Sequence, residues 1–556
     1  MQTYSLSEYV YMSIRCTETG YRSARNGLLP RTMDREFKGD TLPPGHQAGV
    51  CLHITSLPGP HGIGEIGASA RRFVDAMCDM QLGVWQFLPL GPTAYGDSPY
   101  QPLSTFAGNE LLIDTGSLIG HGFLTHDEVR KLVDLPAKSV DYGTLIPLKT
   151  ALLGMAARRF RDKASSAMKS EYDAFIDRHD VHWLHDYALY RILKTQHGEK
   201  PWTEWDPHYV HRDSAHMRRL EAAAGEQLEA IKIVQFLFHA QWREFKDYAN
   251  AAGVRLFGDM PIYIAFDSAD AWANPGILQI DRDGRPSHVA GVPPDYFSKD
   301  GQLWGNPLYA WEVHAENGYR WWIERLRASA ELADIVRIDH FRGFEGYWSV
   351  PASSSTARVG RWVPGPGDAI FDAMEDALGQ LPIVAEDLGV ITPEVIGLRE
   401  RHQLPGMVVL QFDAAEEDFD LDDIEDNCVC YTGTHDNDTT VGWFKGSPDD
   451  LRTPNEIERT RNVVLAATGG TPETIHIDMI RLAFASPARL AVAPMQDYLG
   501  LGSEARINTP GTSRGNWRWR LTADRLTDDF CAGIADLVHE GGRELDPTPV
   551  ALTPTA

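Results

Sequence analysis

Short apolar runs, separated by turns and by longer polar stretches, recur along most of this chain. Eight of them have the length and composition of buried strands: residues 49–53, 84–88, 254–259, 335–339, 383–386, 407–411, 429–432 and 489–493. Most are followed by a turn that contains Gly or Pro, or by helix-like periodicity. Eight parallel strands are what a closed barrel needs. We therefore predict an α/β protein built on a (β/α)8 TIM barrel.

The intervals between the predicted strands are uneven. Residues 89–253 separate the second strand from the third and contain strong helical patterns, such as the one at 221–252. The interval after the third strand is rich in Pro and aromatic residues. Long excursions from the C-terminal face of a barrel usually build its substrate cleft, so we expect these segments to form lobes over the mouth.

The same pattern gives a domain organisation. We predict a barrel at 47–540, with main insertions at about 90–250 and about 260–330. Residues 1–46 are polar and irregular and are predicted to be a weakly ordered N-terminal extension. Residues 541–556, rich in Pro and Thr towards the end, are predicted to be a flexible tail.

Three segments each run an apolar strand directly into a carboxylate: VRIDH at 336–340, VAEDL at 384–388 and YTGTHDND at 431–438. Because the C-terminal ends of parallel barrel strands converge on one mouth, acids far apart in sequence become neighbours there. Neighbouring carboxylates perform glycoside chemistry. The candidate acids are Asp339, Glu386 and Asp436.

A single Asp after a strand is more often a turn residue or a helix N-cap. Three such sites, with Arg337 two residues before the first acid and His435 directly before the third, favour a functional cluster instead. Arg337 and Asp339 lie two apart on a strand and share a face, where the guanidinium holds the acid ionised.

Composition narrows the class of partner. The chain has 556 residues, 43% of them hydrophobic, which is ample for a large core, and its net charge of −26 repels nucleic acids and anionic membrane surfaces. A neutral substrate is compatible with that charge. The six cysteines show neither metal-ligand nor disulfide-framework spacing, so reduced thiols without a metal are expected.

The sequence shows no recognisable targeting segment, which favours a cytoplasmic location. The N-terminus has no apolar run long enough for a signal peptide, and no segment approaches 18 consecutive apolar residues. The one N-x-T sequon, at Asn437, falls inside the third acidic motif, where a glycan would block the mouth. We expect a cytoplasmic protein.

An aromatic loop is the candidate sugar-binding segment. Residues 291–298 (GVPPDYFS) contain two prolines that stiffen a loop offering Tyr296 and Phe297 for stacking on the apolar C–H faces of sugars. A packed loop without ligand contact is the alternative. Residues 91–101 (GPTAYGDSPYQ), after the second strand, have the same character.

Two other segments resemble known binding motifs. Residues 62–67 (GIGEIG) satisfy the dinucleotide-binding pattern, which would indicate an oxidoreductase, but the segment does not follow its strand directly as a phosphate-binding turn must. The acidic run at 416–426 lacks the Gly and terminal Glu of a calcium loop and is interpreted as a solvated surface loop.

Several long strings resemble one family closely: GPTAYGDSPYQ, GDMPIYI, GVPPDYFS, WGNPLY, VRIDHFRGFE, AEDLGVITPEV and YTGTHDNDTT. They resemble 4-α-glucanotransferases of the amylomaltase (disproportionating enzyme) type, glycoside hydrolase family 77. The resemblance runs in order from about residue 49 to about residue 537. It implies that α-1,4-glucans (maltooligosaccharides and amylose) and glucose are substrates and that no cofactor is needed.

The resemblance also implies roles for residues of this sequence. Asp339 matches the nucleophile, Glu386 the general acid/base and Asp436 the transition-state stabiliser. Arg337 and Asp259 match groups that orient and tune the nucleophile. Matches to sugar contacts are His435, Tyr100, Ser98, Gln302, Trp304, His340 and Asn516, with Tyr296 and Phe297 in the acceptor-side loop.

The implied reaction is retaining, with Asp339 attacking the anomeric carbon while Glu386 protonates the departing oxygen. Capture of the glucosyl-enzyme by the 4-hydroxyl of another glucan gives transfer, and capture by water gives hydrolysis. A hydrolytic enzyme of the related amylase group would share the three acids and the barrel. A non-catalytic glucan-binding protein need not retain all three acids together with Arg337 and His435.

Overall fold

The structure is a computed structural model that describes residues 40–294, 299–447, 450, 452–512 and 514–550. Most of the predicted N-terminal extension, the last six residues of the tail, and Tyr296 and Phe297 therefore lie outside the described residues. Within the described ranges, no helix is both long enough and apolar enough to cross a membrane.

The described ranges contain twelve strands, numbered in chain order. They are β1 (Gln47–Cys51), β2 (Val84–Gln86), β3 (Arg255–Pro261), β4 (His288–Val292), β5 (Gln302–Pro307), β6 (Ile335–Asp339), β7 (Gly346–Pro351), β8 (Arg361–Pro364), β9 (Ile383–Ala385), β10 (Gly406–Val409), β11 (Cys428–Tyr431) and β12 (Leu490–Pro494).

Eight of these strands form one parallel sheet in the order β10-β11-β12-β1-β2-β3-β6-β9. The two ends of the sheet meet where the Ala385 N–H of β9 donates to the carbonyl of Pro405, just before β10, at 2.8 Å. The sheet is thus a nearly closed barrel. All eight strands predicted from the apolar runs are confirmed, and so is the (β/α)8 fold.

The apolar composition of the strands follows from their burial on both faces, inside the barrel and against the helices outside it. All five residues of β1 are buried. Gly49 in this strand faces β2 so closely that a Cβ would lie 2.8 Å from the carbonyl oxygen of Val84. This close approach of the two backbones requires glycine.

Twenty α-helices accompany the strands in the described part of the chain. They are α1 (Ala68–Asp79), α2 (Thr115–Gly120), α3 (His126–Val133), α4 (Tyr142–Lys163), α5 (Ser166–His179), α6 (His185–Gln196), α7 (Pro207–Val210), α8 (Ser214–Ala223), α9 (Gly225–Ala251), α10 (Ala269–Ala273), α11 (Trp311–Glu316), α12 (Arg320–Leu332), α13 (Asp368–Leu378), α14 (Pro393–Arg401), α15 (Leu410–Asp413), α16 (Thr440–Lys445), α17 (Pro454–Thr468), α18 (Ile475–Ala485), α19 (Met495–Tyr498) and α20 (Asp528–Glu540).

The interval between β2 and β3 is helical, as its periodicity predicts, and contains α2 to α9. Its last helix, α9, returns the chain to the barrel. Trp242 of α9 packs edge-on against Phe87, with ring centroids 5.2 Å apart, and Phe245 packs edge-on against Trp85 of β2 at 5.6 Å. These aromatic contacts fix the helical insertion to the barrel wall.

The remaining four strands form an antiparallel sheet in the order β5-β4-β7-β8. The apolar pattern did not predict this sheet, and residues 291 and 292, expected to begin a loop, are the end of β4. Strands β4 and β5 come from the interval after β3, whereas β7 and β8 follow β6. Because β6 ends in Asp339, the small sheet lies directly beyond the C-terminal end of that strand.

Candidate active site

The strand register places two of the candidate acids side by side. Ile338 of β6 pairs with Ala385 of β9. Asp339 and Glu386, the next residue in each case, therefore lie side by side at the ends of neighbouring strands. The Glu386 N–H donates to the carbonyl of Ile338 at 3.0 Å, and the His340 N–H donates to Oε2 of Glu386 at 2.6 Å. The residue after one acid therefore holds the carboxylate of the other.

Arg337 connects two carboxylates on β3 and β6. Its Nη1 donates to both oxygens of Asp259, at 3.0 and 2.8 Å, and its Nη2 donates to Oδ1 of Asp339 at 2.9 Å. The side chains of Arg337 and Asp259 are almost fully buried, whereas that of Asp339 is 30% exposed. Arg337 thus holds Asp339 from the barrel interior, while the rest of the Asp339 carboxylate is open to the mouth. The contact between Arg337 and Asp339 is the one predicted from their shared strand face.

The two neighbouring acids have different electrostatic surroundings. Burial raises the pKa of Glu386 to about 7, with Arg337 opposing this and the charge of Asp339 adding to it. Burial also raises the pKa of Asp339, with Arg337 as the largest opposing influence. Because Arg337 donates directly to Asp339, we assign the proton retained by the pair to Glu386.

Tyr100 extends this network towards the third acid. Its hydroxyl donates to Oδ2 of Asp259 at 2.7 Å, and burial followed by the charge of Asp259 raises its pKa well above the usual value. Its ring stacks on the imidazole of His435, with centroids 5.0 Å apart and planes 12° from parallel. Ser98 positions Tyr100 by accepting the Tyr100 N–H at 3.2 Å.

Asp436 lies beyond β11 and is the most exposed of the three acids, at 48%. Asn508 Nδ2 donates to Oδ1 of Asp436 at 2.6 Å, and Nε2 of the neighbouring His435 is 3.4 Å from the same oxygen. Arg506 Nη2 donates to the backbone carbonyl of Asp436 at 2.7 Å. Polar groups beyond β12 thus fix the position of Asp436.

Asn508, Arg506 and Trp517 were missed by the sequence interpretation, which chose Asn516 from the same segment. Trp517 packs obliquely against Tyr100 and His435, at 5.9 and 6.2 Å between centroids. The available signal was position, because the segment after the last barrel strand must also begin at the mouth.

Asn516 makes its hydrogen bonds within its own loop. Its Oδ1 accepts the Thr509 N–H at 3.1 Å, and its Nδ2 donates to the carbonyl of Thr512 at 3.1 Å. These bonds orient the segment that carries Asn508 and Trp517. A sugar contact by Asn516 stays a prediction.

The predicted contacts on the small sheet gather around His340. Trp304 of β5 packs edge-on against His340, with centroids 4.8 Å apart, and its Nε1 donates to Oε1 of Gln302 at 3.2 Å. His340 has a left-handed backbone, with φ of 60°, and burial followed by the nearby Arg342 lowers its pKa to about 3. His340 therefore presents a neutral imidazole to Trp304.

Two groups of side chains in the described ranges have metal-ligand spacing. They are His208, Asp213 and His216, and Asp372, Glu375 and His402. Neither group includes an acid of the mouth.

Comparisons with known proteins point to one family. The model of the family described as 4-alpha-glucanotransferase matches residues 52–526. A 4-alpha-glucanotransferase from Thermus thermophilus is 46% identical over 494 residues, covering 87% of this chain and 97% of that protein. A 4-alpha-glucanotransferase from Synechocystis sp. is 43% identical over 504 residues, covering 90% of this chain and 98% of that protein.

A solved structure supports the same likeness. The amylomaltase from Streptococcus agalactiae in complex with acarbose superimposes with a TM-score of 0.84 at 34% identity, covering 90% of this chain and all of that chain. The amylomaltase from Corynebacterium glutamicum, at 18% identity and a TM-score of 0.72, shares the fold.

Proposed function

The chain belongs to the 4-alpha-glucanotransferase family, glycoside hydrolase family 77, and from that premise we propose that it transfers α-1,4-glucan segments by a retaining double displacement at Asp339. One observation supports this assignment above the others. Asp339 and Glu386 lie at neighbouring strand ends, and Arg337 donates to Asp339 while Glu386 accepts the backbone N–H of His340.

In the first step, a carboxylate oxygen of Asp339 attacks the anomeric carbon of the donor sugar. The bond from that carbon to the glycosidic oxygen breaks, and Glu386 gives its proton to the oxygen as it leaves. The raised pKa of Glu386, about 7, keeps a proton available near neutrality. The products of this step are a β-linked glycosyl ester on Asp339 and a shortened glucan.

In the second step, Glu386 is ionised and acts as the base. It removes the proton from the 4-hydroxyl of an incoming glucan or glucose while that oxygen attacks the anomeric carbon and displaces Asp339. Two inversions restore the α configuration. Glu386 is protonated again, so the enzyme returns to its starting state.

Arg337 makes the Asp339 carboxylate a good leaving group when the ester bond breaks. Its guanidinium stabilises the Asp339 carboxylate, both before attack and again as it departs, by a charge-assisted hydrogen bond of 2.9 Å. Asp259 receives the other side of the guanidinium through two bonds and so fixes its orientation. We propose that Asp259 acts through Arg337 and is a positioning residue.

Asp436 and His435 are proposed to act on the sugar whose bond breaks. The half-exposed Asp436 carboxylate, oriented by Asn508, faces positive charge as the transition state develops, and His435 offers a donor to a sugar hydroxyl. Tyr100 supports His435 by stacking on it. Trp304, His340, Gln302 and Ser98 are proposed to complete the sugar contacts of the mouth.

Incubation of the purified protein with maltotriose tests the function. Transfer gives a ladder of longer and shorter oligomers with released glucose and a constant number of reducing ends. Hydrolysis gives shorter sugars only, with a rising number of reducing ends. A hydrolytic product pattern would replace the transferase assignment with that of a glucan hydrolase.

A further inference from the structure

Trp362 is set apart from the other tryptophans of the protein. All fifteen tryptophans lie in the described ranges, and Trp362, at 41%, is the only one among the large exposed apolar side chains. It lies on β8, at the edge of the small sheet, directly opposite Trp348 of β7, whose ring packs edge-on against it at 5.3 Å. The indole is therefore supported by protein and still open to solvent.

Arg342 ties Trp362 to both strand ends that carry the reacting acids. The guanidinium carbon of Arg342 lies 3.8 Å from the centroid of the indole ring, and its Nη1 donates to the carbonyl of Val390. Arg342 follows Asp339 in the turn Phe341–Phe344, and Val390 lies in the segment after Glu386. Trp362 is thus held beside the loops that follow Asp339 and Glu386.

The position of Glu386 indicates whether Trp362 lies on the donor side or the acceptor side of the cleft. A general acid must reach the oxygen of the departing sugar, so the leaving group, and later the acceptor, bind on the side of Glu386. Val390, 56% exposed, follows Glu386 by four residues in the segment beyond β9, and we infer that this segment borders the acceptor side. Arg342 contacts both residues, because its guanidinium lies over the Trp362 ring and donates to the carbonyl of Val390. Trp362 and Val390 therefore lie on one continuous surface.

We propose that Trp362, oriented by Arg342, forms an outer acceptor subsite that stacks on a glucose ring beyond the one whose 4-hydroxyl reacts. Indole faces bind the apolar C–H faces of sugars, and one face of this indole is already occupied by the guanidinium. The reacting ring belongs beside Glu386 at the end of β9. Trp362, on the far strand of the small sheet, is placed for a later ring of the acceptor.

This inference rests on the proposed transferase reaction and predicts a dependence on acceptor length. A glucose acceptor has no ring beyond the one that reacts, whereas maltotriose has further rings that can stack on Trp362. Losing the indole face in Trp362→Ala should raise KM for maltotriose about two- to twelve-fold, leaving KM for glucose unchanged. The kcat should stay within about twofold, because the contact forms equally in the ground and transition states.

The experiment measures acceptor kinetics for glucose, maltose and maltotriose, with α-maltotriosyl fluoride as a constant donor. Trp362→Phe should restore most of the maltotriose affinity, and Trp362→Leu, which keeps apolar bulk without a flat face, should not. Ile396→Ala is the control, because Ile396 is 38% exposed and lies on α14 outside the barrel. Melting temperatures verify that each variant is folded.

An equal change in KM for glucose and maltotriose, or no change for either in a folded Trp362→Leu protein, would overturn the subsite. A wild-type protein that makes no transfer product would instead overturn the proposed function. The two failures are therefore distinguishable in one set of assays.

Discussion

Two buried carboxylate clusters in this protein differ in how completely protein groups satisfy them. Glu65, 6% exposed, accepts from the Lys149 ammonium and the Thr115 hydroxyl on one oxygen and lies 2.8 Å from His61 Nδ1 through the other. Asp339 in the mouth has one bond from Arg337 and is 30% exposed. Both sites are anchored by a cation that is itself buried.

The pKa values follow from that difference. Burial raises the pKa of Glu65, but Lys149 and His61 outweigh it and hold the value at about 2. In the mouth burial outweighs the effect of Arg337 and raises the pKa of Asp339. The pKa of its neighbour Glu386, which accepts backbone N–H groups rather than a bond from a cation, rises to about 7. A fully paired buried carboxylate is inert and stabilises the fold, whereas an incompletely paired one is left reactive for a partner that arrives from outside.

The comparison predicts that removing the charge of Asp339 abolishes chemistry and spares the fold. Asp339→Asn is nearly isosteric but cannot form the glycosyl ester, so turnover of maltotriose should fall more than about a thousand-fold. The melting temperature should not fall, since Arg337 keeps both bonds to Asp259. Normal turnover by folded Asp339→Asn would remove Asp339 from the mechanism.

Glu386→Gln separates the two acids of the mouth. Loss of general acid help should slow formation of the glycosyl-enzyme from maltotriose about 10²–10⁴-fold, with a far smaller loss in the first-turnover release of fluoride from a glycosyl fluoride donor, whose leaving group needs no proton. In the wild type, the protonated fraction of Glu386 falls as pH rises through about 7, so turnover of maltotriose should decline above that pH.

The pH dependence of fluoride release is the control for this assignment, because fluoride release should lack the alkaline decline. Equal losses on both donors, or an alkaline decline that persists in Glu386→Gln, would contradict the acid role.

Glu65→Gln is expected to have the opposite phenotype. Leaving Lys149 buried without its anion should lower the free energy of unfolding by about 3–5 kcal/mol, with unchanged kcat below the melting transition. Glu244→Gln, which breaks the exposed pair with Arg71, is the matched control and should cost at most about 1 kcal/mol. Denaturant unfolding measures both, and equal losses would refute the contrast between paired and open carboxylates.

The smallest expected effect is that of removing the two aromatic side chains of the acceptor-side loop. If Tyr296 and Phe297 stack on acceptor sugar and exclude water, changing both to Ala weakens acceptor binding, with each lost face contributing roughly 0.5–1.5 kcal/mol. Disproportionation should fall while the number of reducing ends rises. An unchanged ratio of transfer to hydrolysis would leave this loop as packing only.

The barrel and its acids could be predicted because both depend on local sequence. Each barrel strand is built on a short apolar run. A carboxylate at the C-terminal end of such a strand lies at the one mouth on which all the strands converge. The antiparallel sheet was not predicted because its strands lack the long apolar runs of the barrel strands. Strand β8, which pairs with β7, is mostly exposed and therefore gives no such signal.

The choice between two asparagines shows a second limit. Asn508 and Asn516 lie in one irregular segment, and sequence order does not tell which side chain turns inwards. That depends on the bend from Thr509 to Thr512, where Gly511 has a φ of +77°, and on the bonds by which Asn516 fixes that bend. Such non-repetitive backbone has no periodicity from which direction can be inferred.

In the proposed mechanism, the open carboxylate of Asp339 forms the covalent bond to the sugar. A 5-fluoro-α-glucosyl fluoride probe slows release of the glycosyl-enzyme more than its formation, so the intermediate accumulates and its site can be found by peptide mass spectrometry. We expect one glycosyl unit on the peptide that contains Asp339, and none on the Asp339→Asn protein. A label on Glu386 or Asp436, or a full burst of fluoride without any labelled peptide, would contradict it.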